Sequence, residues 1–188
     1  MHESSPSQRG AGGAAKSMHS GDTHQYLTFN VGSEMFAVGI LNVKEIIEYG
    51  NLTEIPMMPS FIRGVINLRG SVVPVIDLSA RFGGKVTELS RRTCIVIVEV
   101  TDDETRHDIG IMVDAVSEVL DIPGSEIEPP PTFGARIRAD FIFGIGKVSG
   151  KFVIILNISK VLSIEEIAQL TGTEGLSSES LVAVGAPQ

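Results

Sequence analysis

The stretch GVINLRGSVVPVIDL, Gly64 to Leu78, decides how this chain folds. Its halves are apolar and rich in β-branched residues, are too short for an ordinary helix, and flank the turn signal Gly70-Ser71. They form a hairpin. A two-residue turn with glycine first pairs Arg69 with Val72, Asn67 with Pro74 and Val65 with Ile76. Side-chain alternation then gathers Ile66, Leu68, Val73 and Val75 on one face, a natural barrel interior. Arg69 and Asn67 emerge on the other face, beside Val65, Val72 and Ile76. That face is too apolar to stand in water, so something covers it. Pro74 lacks an N–H for the ladder and fits an edge position or a bulge. An arginine beside apolar surface needs a carboxylate to hold its planar fork, and Glu45 is the candidate.

Outward from the hairpin the same pattern recurs. Strands are expected at Gln25 to Val31, Met35 to Ile40, Gly64 to Arg69, Val72 to Asp77, Thr93 to Val100, Asp108 to Val113, Ala115 to Ile122, Phe143 to Lys147 and Lys151 to Ile158. Turn signals lie between most of them, among them Gly32-Ser33, Gly83-Gly84, Asp102-Asp103 and Ser149-Gly150. Two helices stand out. ILNVKEIIEYG places Val43, Ile46 and Ile47 at helical spacing with Gly50 as a stop. SIEEIAQL opens with Ser163 and has Glu166 three residues on, a capping box, with Ile164, Ile167, Ala168 and Leu170 as its apolar face.

Many short strands with few helices imply an all-β fold. No internal repeat is convincing at this level. A polar stretch at Leu89 to Arg92 divides the body, and Pro129 to Pro131 breaks its second part. Two small barrels are therefore expected, roughly 25–88 and 91–158, with a C-terminal helix over roughly 163–170. Residues 1–24 and 171–188 are poor in large apolar side chains and are expected to be disordered.

Composition removes several classes of function. With 43% hydrophobic and 20% charged residues among 188, the chain has the make-up of a globular protein. Its net charge of −8 opposes a nucleic-acid role, which needs a basic footprint. The longest apolar runs fall far short of the ~20 residues of a membrane span. The N-terminus has no apolar core of the kind a secretory signal requires, and a single cysteine cannot form an internal disulfide; both suit the cytoplasm.

No catalytic constellation emerges. His2, His19 and His24 cluster near the N-terminus, leaving His107 alone in the body, so a zinc site lacks ligands. Cys94 sits in TCIVIVEV, where a small apolar side chain suits a buried strand, and no base accompanies it. Asp102, Asp103 and Glu104 fit a hydrophilic turn, and Glu165 with Glu166 a helix N-terminus. GIGKVSG, Gly144 to Gly150, lies between strands and so lacks the helix end that binds phosphate. It is a hairpin. With no Trp and only 2 Tyr and 8 Phe, stacking platforms are scarce. A binding module without cofactor or metal fits better than an enzyme.

NLRGSVVPVIDL, preceded by FIRGV, closely resembles the central motif of the CheW family of bacterial chemotaxis coupling proteins. QYLTFNVGSEMFAVGI, ILNVKEI, IGIMVDAVSEVLDI and FVIILNISKVLSIEEI are similar to that family in order and spacing, so the resemblance covers about Gln25 to Leu170. It implies two five-stranded SH3-like barrels with an apolar groove between them. It also implies a noncatalytic adaptor that binds the cytoplasmic tip of a methyl-accepting chemoreceptor and the regulatory domain of the histidine kinase CheA, in arrays at the inner membrane. Carried over residue by residue, the receptor contact would involve Val43, Glu45, Gly64, Arg69, Gly110 and Val116, with Glu45 and Arg69 paired. Ala115 stands where relatives can carry Gly, a departure that matters only if the backbone there needs a positive φ.

Each of these residues also has a structural reading. Ile46 and Ile47 dock their segment on its own barrel, leaving Val43 for the groove; Gly64 and Gly110 permit bulges or close packing; Val116 serves as core. The function classes that compete with a chemotaxis adaptor are a module of another chemosensory pathway, a stand-alone relative of the CheA regulatory domain, and a ligand-binding or enzymatic barrel.

Overall fold

The computed structural model describes residues 22–130 and 137–170. The expectations for residues 1–21 and 171–188, and for Pro131, lie outside that range. Among the described residues eleven strands run in the order β1 (Thr23–Val31), β2 (Glu34–Gly39), β3 (Val43–Glu48), β4 (Ile62–Leu68), β5 (Ser71–Asp77), β6 (Cys94–Asp102), β7 (Thr105–Val113), β8 (Ala115–Pro123), β9 (Ile127–Glu128), β10 (Ile142–Val148) and β11 (Lys151–Leu156). Among the described residues three short α-helices accompany them, α1 (Leu78–Arg81), α2 (Ile158–Val161) and α3 (Ile164–Leu170), besides three single 3-10 turns. Thr23 and His24, expected in a disordered tail, already pair in β1 with Pro123 and Ile122.

The strands form a six-stranded sheet, β8-β1-β2-β11-β10-β9, and a five-stranded sheet, β3-β6-β7-β5-β4. The division into consecutive barrels over 25–88 and 91–158 is therefore corrected. β1 and β2 join the C-terminal strands, and the chain crosses between sheets at the start of β3 and again at Asp114. Strand count alone cannot reveal such pairing, because parallel neighbours such as β2–β11 and β5–β7 are distant in sequence. Each sheet encloses a core of its own. Tyr26, Ala37, Ile122, Val153 and Ile155 fill the first, and Ile66, Val73, Val75, Ile95, Ile97 and Met112 the second. The largest cluster lies between the sheets, where Phe29, Phe36, Ile76, Val96, Val98, Ile111 and Phe141 interlock.

The segment expected as a helix over Ile40 to Gly50 is a tight three-residue turn followed by β3. Val43, Ile46 and Ile47 are β-branched, and six residues are too few for a self-supporting helix, so pairing with β6 from Val43–Val98 to Glu48–Cys94 prevails. The SIEEIAQL helix forms as α3, and Ser163 Oγ accepts the Glu166 N–H at 3.3 Å, which makes one half of the capping box.

The decisive hairpin turns one residue earlier than expected, which moves every cross-strand partner by two positions and so keeps the faces. Leu68 pairs with Ser71, Asn67 with Val72 and Val65 with Pro74, so Arg69 and Gly70 make the turn, at φ 52° and 85°. Two left-handed residues match strand twist in a two-residue connection. The inward face survives this slip, because Ile66, Val73 and Val75 do line the second core with Leu68 beside them. The opposite face is covered as expected, with Ile76 packed between the sheets. β5 is an interior strand, contrary to the edge position proposed for Pro74. Val65 spends its N–H and C=O on Thr53, so Pro74 lies in a non-hydrogen-bonded pair with its nitrogen turned toward β7, where pairing starts only at Val75. No donor is missed there.

The fold also contains a repeat that composition hides. β4-β5-α1 and β10-β11-α2 share a bulge after Ile62 and Ile142, glycine at Gly64 and Gly144, a left-handed turn at Arg69-Gly70 and Ser149-Gly150, and a short helix after Asp77 and Asn157. A charged cluster near the C-terminus ties the halves together. Arg81 is buried between the rings of Phe61 and Phe141, donates to the Val161 carbonyl at 2.9 Å, and pairs with Glu166 at 3.1 Å. Glu166 also accepts from Arg138.

Candidate functional site

The second sheet carries most of the site, and its registers explain why. Gly64 pairs with Val75, Val75 with Gly110, Gly110 with Ile97 and Ile97 with Glu45. These five residues form one row across all five strands, with side chains on the same face. Three of the six residues implicated from sequence thus share a single line.

The glycines in that row act from inside. A Cβ on Gly110 would lie 2.7 Å from Ile95 Cγ2 and 3.3 Å from Val75 Cγ2, so the absent side chain makes room for the barrel interior. Gly110 is buried and has no surface to offer a partner. Gly64 has φ 146°, and a Cβ there would fall 2.1 Å from the Thr53 carbonyl oxygen. Only glycine lets that carbonyl come close enough for Thr53 and Val65 to exchange two hydrogen bonds of 2.9 Å. That bridge joins the segment after β3 to β4 and curls the sheet toward closure.

Glu45 ends the row at the outer strand, and Arg69 rises from the hairpin tip to meet it, Nη2 to Oε2 at 2.9 Å. The Arg69 side chain is 77% exposed and that of Glu45 28%. A surface pair of this kind adds about 0–1 kcal/mol to stability. A non-glycine residue in the left-handed region costs about as much or more. The arginine is therefore not there for the fold. Asn67 steadies the turn by accepting the Gly70 N–H at 2.9 Å.

Val43 and Val116 lie near the two crossovers, each half-buried against the core between the sheets. The interior of that seam is filled, so any groove runs along its margin. Ile47 docks on the second core as expected, but Ile46 is 43% exposed. Leu41, in the turn that leads into β3, is 94% exposed and was missed from sequence. The signal was its place beside Val43. Lys44, bulged between Val43 and Glu45, bonds both oxygens of Asp108 at 3.0 Å, and this hydrogen bonding raises its pKa. Ala115 is not among the positive-φ residues, so its departure from glycine carries no strain.

The sites considered for chemistry stay dispersed. Asp103 and Glu104 make the β6–β7 turn, His107 is half-buried in β7 opposite Val100, and Cys94 is half-buried at the start of β6 rather than fully enclosed. Among the described residues no three His, Cys, Asp or Glu side chains gather as metal ligands, and no helix is long and apolar enough to cross a membrane. The arrangement offers a rigid β surface with one tethered guanidinium and exposed apolar neighbours.

The chain is similar to known proteins over most of its length. A model of the CheW-like domain matches residues 25–166. The chain is 35% identical over 160 residues to the chemotaxis protein CheW of Klebsiella aerogenes, covering 84% of this chain and 94% of the relative. It is 33% identical over 153 residues to the chemotaxis protein CheW of Rhizobium meliloti, covering 81% and 96%. The crystal structure of the scaffolding protein TtCheW from Thermoanaerobacter tengcongensis superposes with a TM-score of 0.67 at 36% identity, covering 74% of this chain and 88% of that one.

Proposed function

Because this chain belongs to the CheW family, we propose that it is a chemotaxis coupling adaptor, joining methyl-accepting chemoreceptors to the histidine kinase CheA through surface complementarity and without chemistry of its own. One observation carries the assignment of the contact: Arg69, exposed, held by Glu45 and placed at a conformational cost the fold has no use for. A receptor helix lays apolar side chains along Leu41, Val43 and Ile46, with Val116 on the seam margin, while Arg69 sets its register. Gly64 and Gly110 support binding indirectly, by shaping the sheet that presents Glu45 and the hairpin. Each contact need be only moderately strong, since tethered neighbours in an array raise one another's effective concentration. Signalling is then a population shift in the kinase. The adaptor works in the cytoplasm, at receptor arrays on the inner membrane, and needs no cofactor.

A charge swap tests the contact. In a pull-down with a receptor cytoplasmic fragment, Arg69→Glu is expected to lose binding while staying folded. Glu45→Arg combined with Arg69→Glu restores the internal pair, and is expected not to restore binding. Retained binding by the folded Arg69→Glu chain would remove Arg69 from the interface.

A further inference from the structure

We propose that the pocket between β2 and β11 is a second docking surface, one that takes an acidic polypeptide segment carrying a large apolar side chain. These strands run parallel and pair only at Phe36–Ile154 and Ala37–Ile155. Continued backward, that register sets Glu34 opposite Phe152 with no pairing, and the strands part. The opening, of about 470 Å³, has a floor of Met35, Phe152 and Ile154, with Asn30, Ser33 and Lys151 around it. Its volume lies in the range of ligand-sized sites, ~300–1,000 Å³.

The repeat within the fold makes this place meaningful. The β10–β11 hairpin occupies in the first sheet the position that the Arg69 hairpin has in the second. At the positions corresponding to Arg63, Asn67, Ser71 and Val72 stand Phe143, Lys147, Lys151 and Phe152. Phe143 is 59% exposed and Phe152 64%, aromatic surface of a kind that a soluble domain seldom leaves bare. Lys147 lies directly opposite Phe152. Among the described residues Lys147 and Lys151 have no ion-pair partner, a condition they share with Lys85, Arg91, Arg92 and Lys160 but not with Lys44, Arg63, Arg69, Arg81, Arg106 and Arg138; of the unpaired cations, these two lie at the pocket and opposite its Phe152.

Lys151 in the pocket and Lys147 opposite Phe152 set two cations beside one bare aromatic ring, and on a chain of net charge −8 they select an acidic partner with an apolar anchor. Where β2 and β11 pair, at Phe36–Ile154 and Ala37–Ile155, no strand can be added, so the partner docks on the face beside the gap. Glu34 is the one carboxylate lining the pocket and limits how far the partner's acidic groups extend toward β2. The inference does not depend on the adaptor reading, because it rests on the sheet that lacks the Glu45–Arg69 pair.

The test uses the full chain, labelled for NMR, titrated with a synthetic peptide of alternating glutamate and leucine. Expected are saturable shifts at Met35, Lys151 and Phe152. Lys147→Glu with Lys151→Glu, and separately Phe152→Ser, each weaken binding about tenfold or more, while Arg69→Glu does not. Circular dichroism confirms that the variants fold. The proposal is overturned if the shifts map elsewhere, if these variants bind normally, or if an alternating lysine–leucine peptide binds as well. Binding only to anionic phosphatidylglycerol vesicles, or the same shifts produced by self-association without peptide, would also overturn it.

Discussion

Replacing Arg69 by asparagine separates folding from binding. Arg69 sits at φ 52° in a two-residue turn, where an ordinary side chain costs about 1–2 kcal/mol and asparagine much less. Its pair with Glu45 is worth less than about 1 kcal/mol, and a 77%-exposed guanidinium belongs at the low end of that range. The balance favours Arg69→Asn by about 0.5 kcal/mol, a rise in Tm of about 1–2 °C for a domain of this size. Affinity should move the other way. Truncating a charged hydrogen-bonding contact costs about 1.5–3 kcal/mol, so binding to a receptor fragment should fall about tenfold or more. Thermal denaturation followed by circular dichroism, and isothermal calorimetry with the fragment, measure the two quantities on one sample. The reasoning is refuted if stability falls by more than about 1 kcal/mol, or if affinity is unchanged.

Three further outcomes follow from the same geometry. Gly64→Ala meets both a forbidden φ and the Thr53 carbonyl, so it should cost about 3 kcal/mol or more and speed hydrogen exchange at the Thr53 and Val65 amides before other strands. Gly110→Ala meets only side chains, chiefly Ile95, and should cost about 1–3 kcal/mol; in denaturant titrations, combining it with Ile95→Ala should cost less than the two changes summed. Burial opposes ionisation of Glu166, but hydrogen bonds from Arg138 and Arg81 outweigh it and hold its pKa below the usual 4.5. A depressed carboxylate pKa contributes stability that is full above the unfolded value and lost as pH falls through the folded one. Asp140, held down by Arg138, adds to the same trend. Stability should therefore drop below about pH 4.5, and Glu166→Gln should flatten that part of the profile.

Much of the fold was legible because it is local. Nine strands lie close to their apolar runs, and the inward face of Ile66, Val73 and Val75 survives a wrong turn, since both registers preserve the alternation. The segment after Ile40 misled because Val43, Ile46 and Ile47 satisfy a helical stripe and a strand equally. Pairing with β6 decided between them, and it depends on residues about fifty positions away. The interleaved sheets were hidden for a related reason, as parallel contacts between β2 and β11 leave no local mark. The Glu45–Arg69 pair was expected both from the need for a carboxylate beside Arg69 and from family resemblance, and it forms although Glu45 lies on a strand rather than the expected helix. Arg81 drew no notice, because a buried guanidinium between two Phe rings looks in sequence like any surface cation.

The central claim is that this chain couples receptor to kinase by contact alone. Co-sedimentation of purified CheA with receptor-bearing membranes, with and without the chain, tests it most directly. The account predicts that the chain increases the CheA recovered with the membranes and that Arg69→Glu abolishes the increase. Equal recovery of CheA with and without the chain would contradict it.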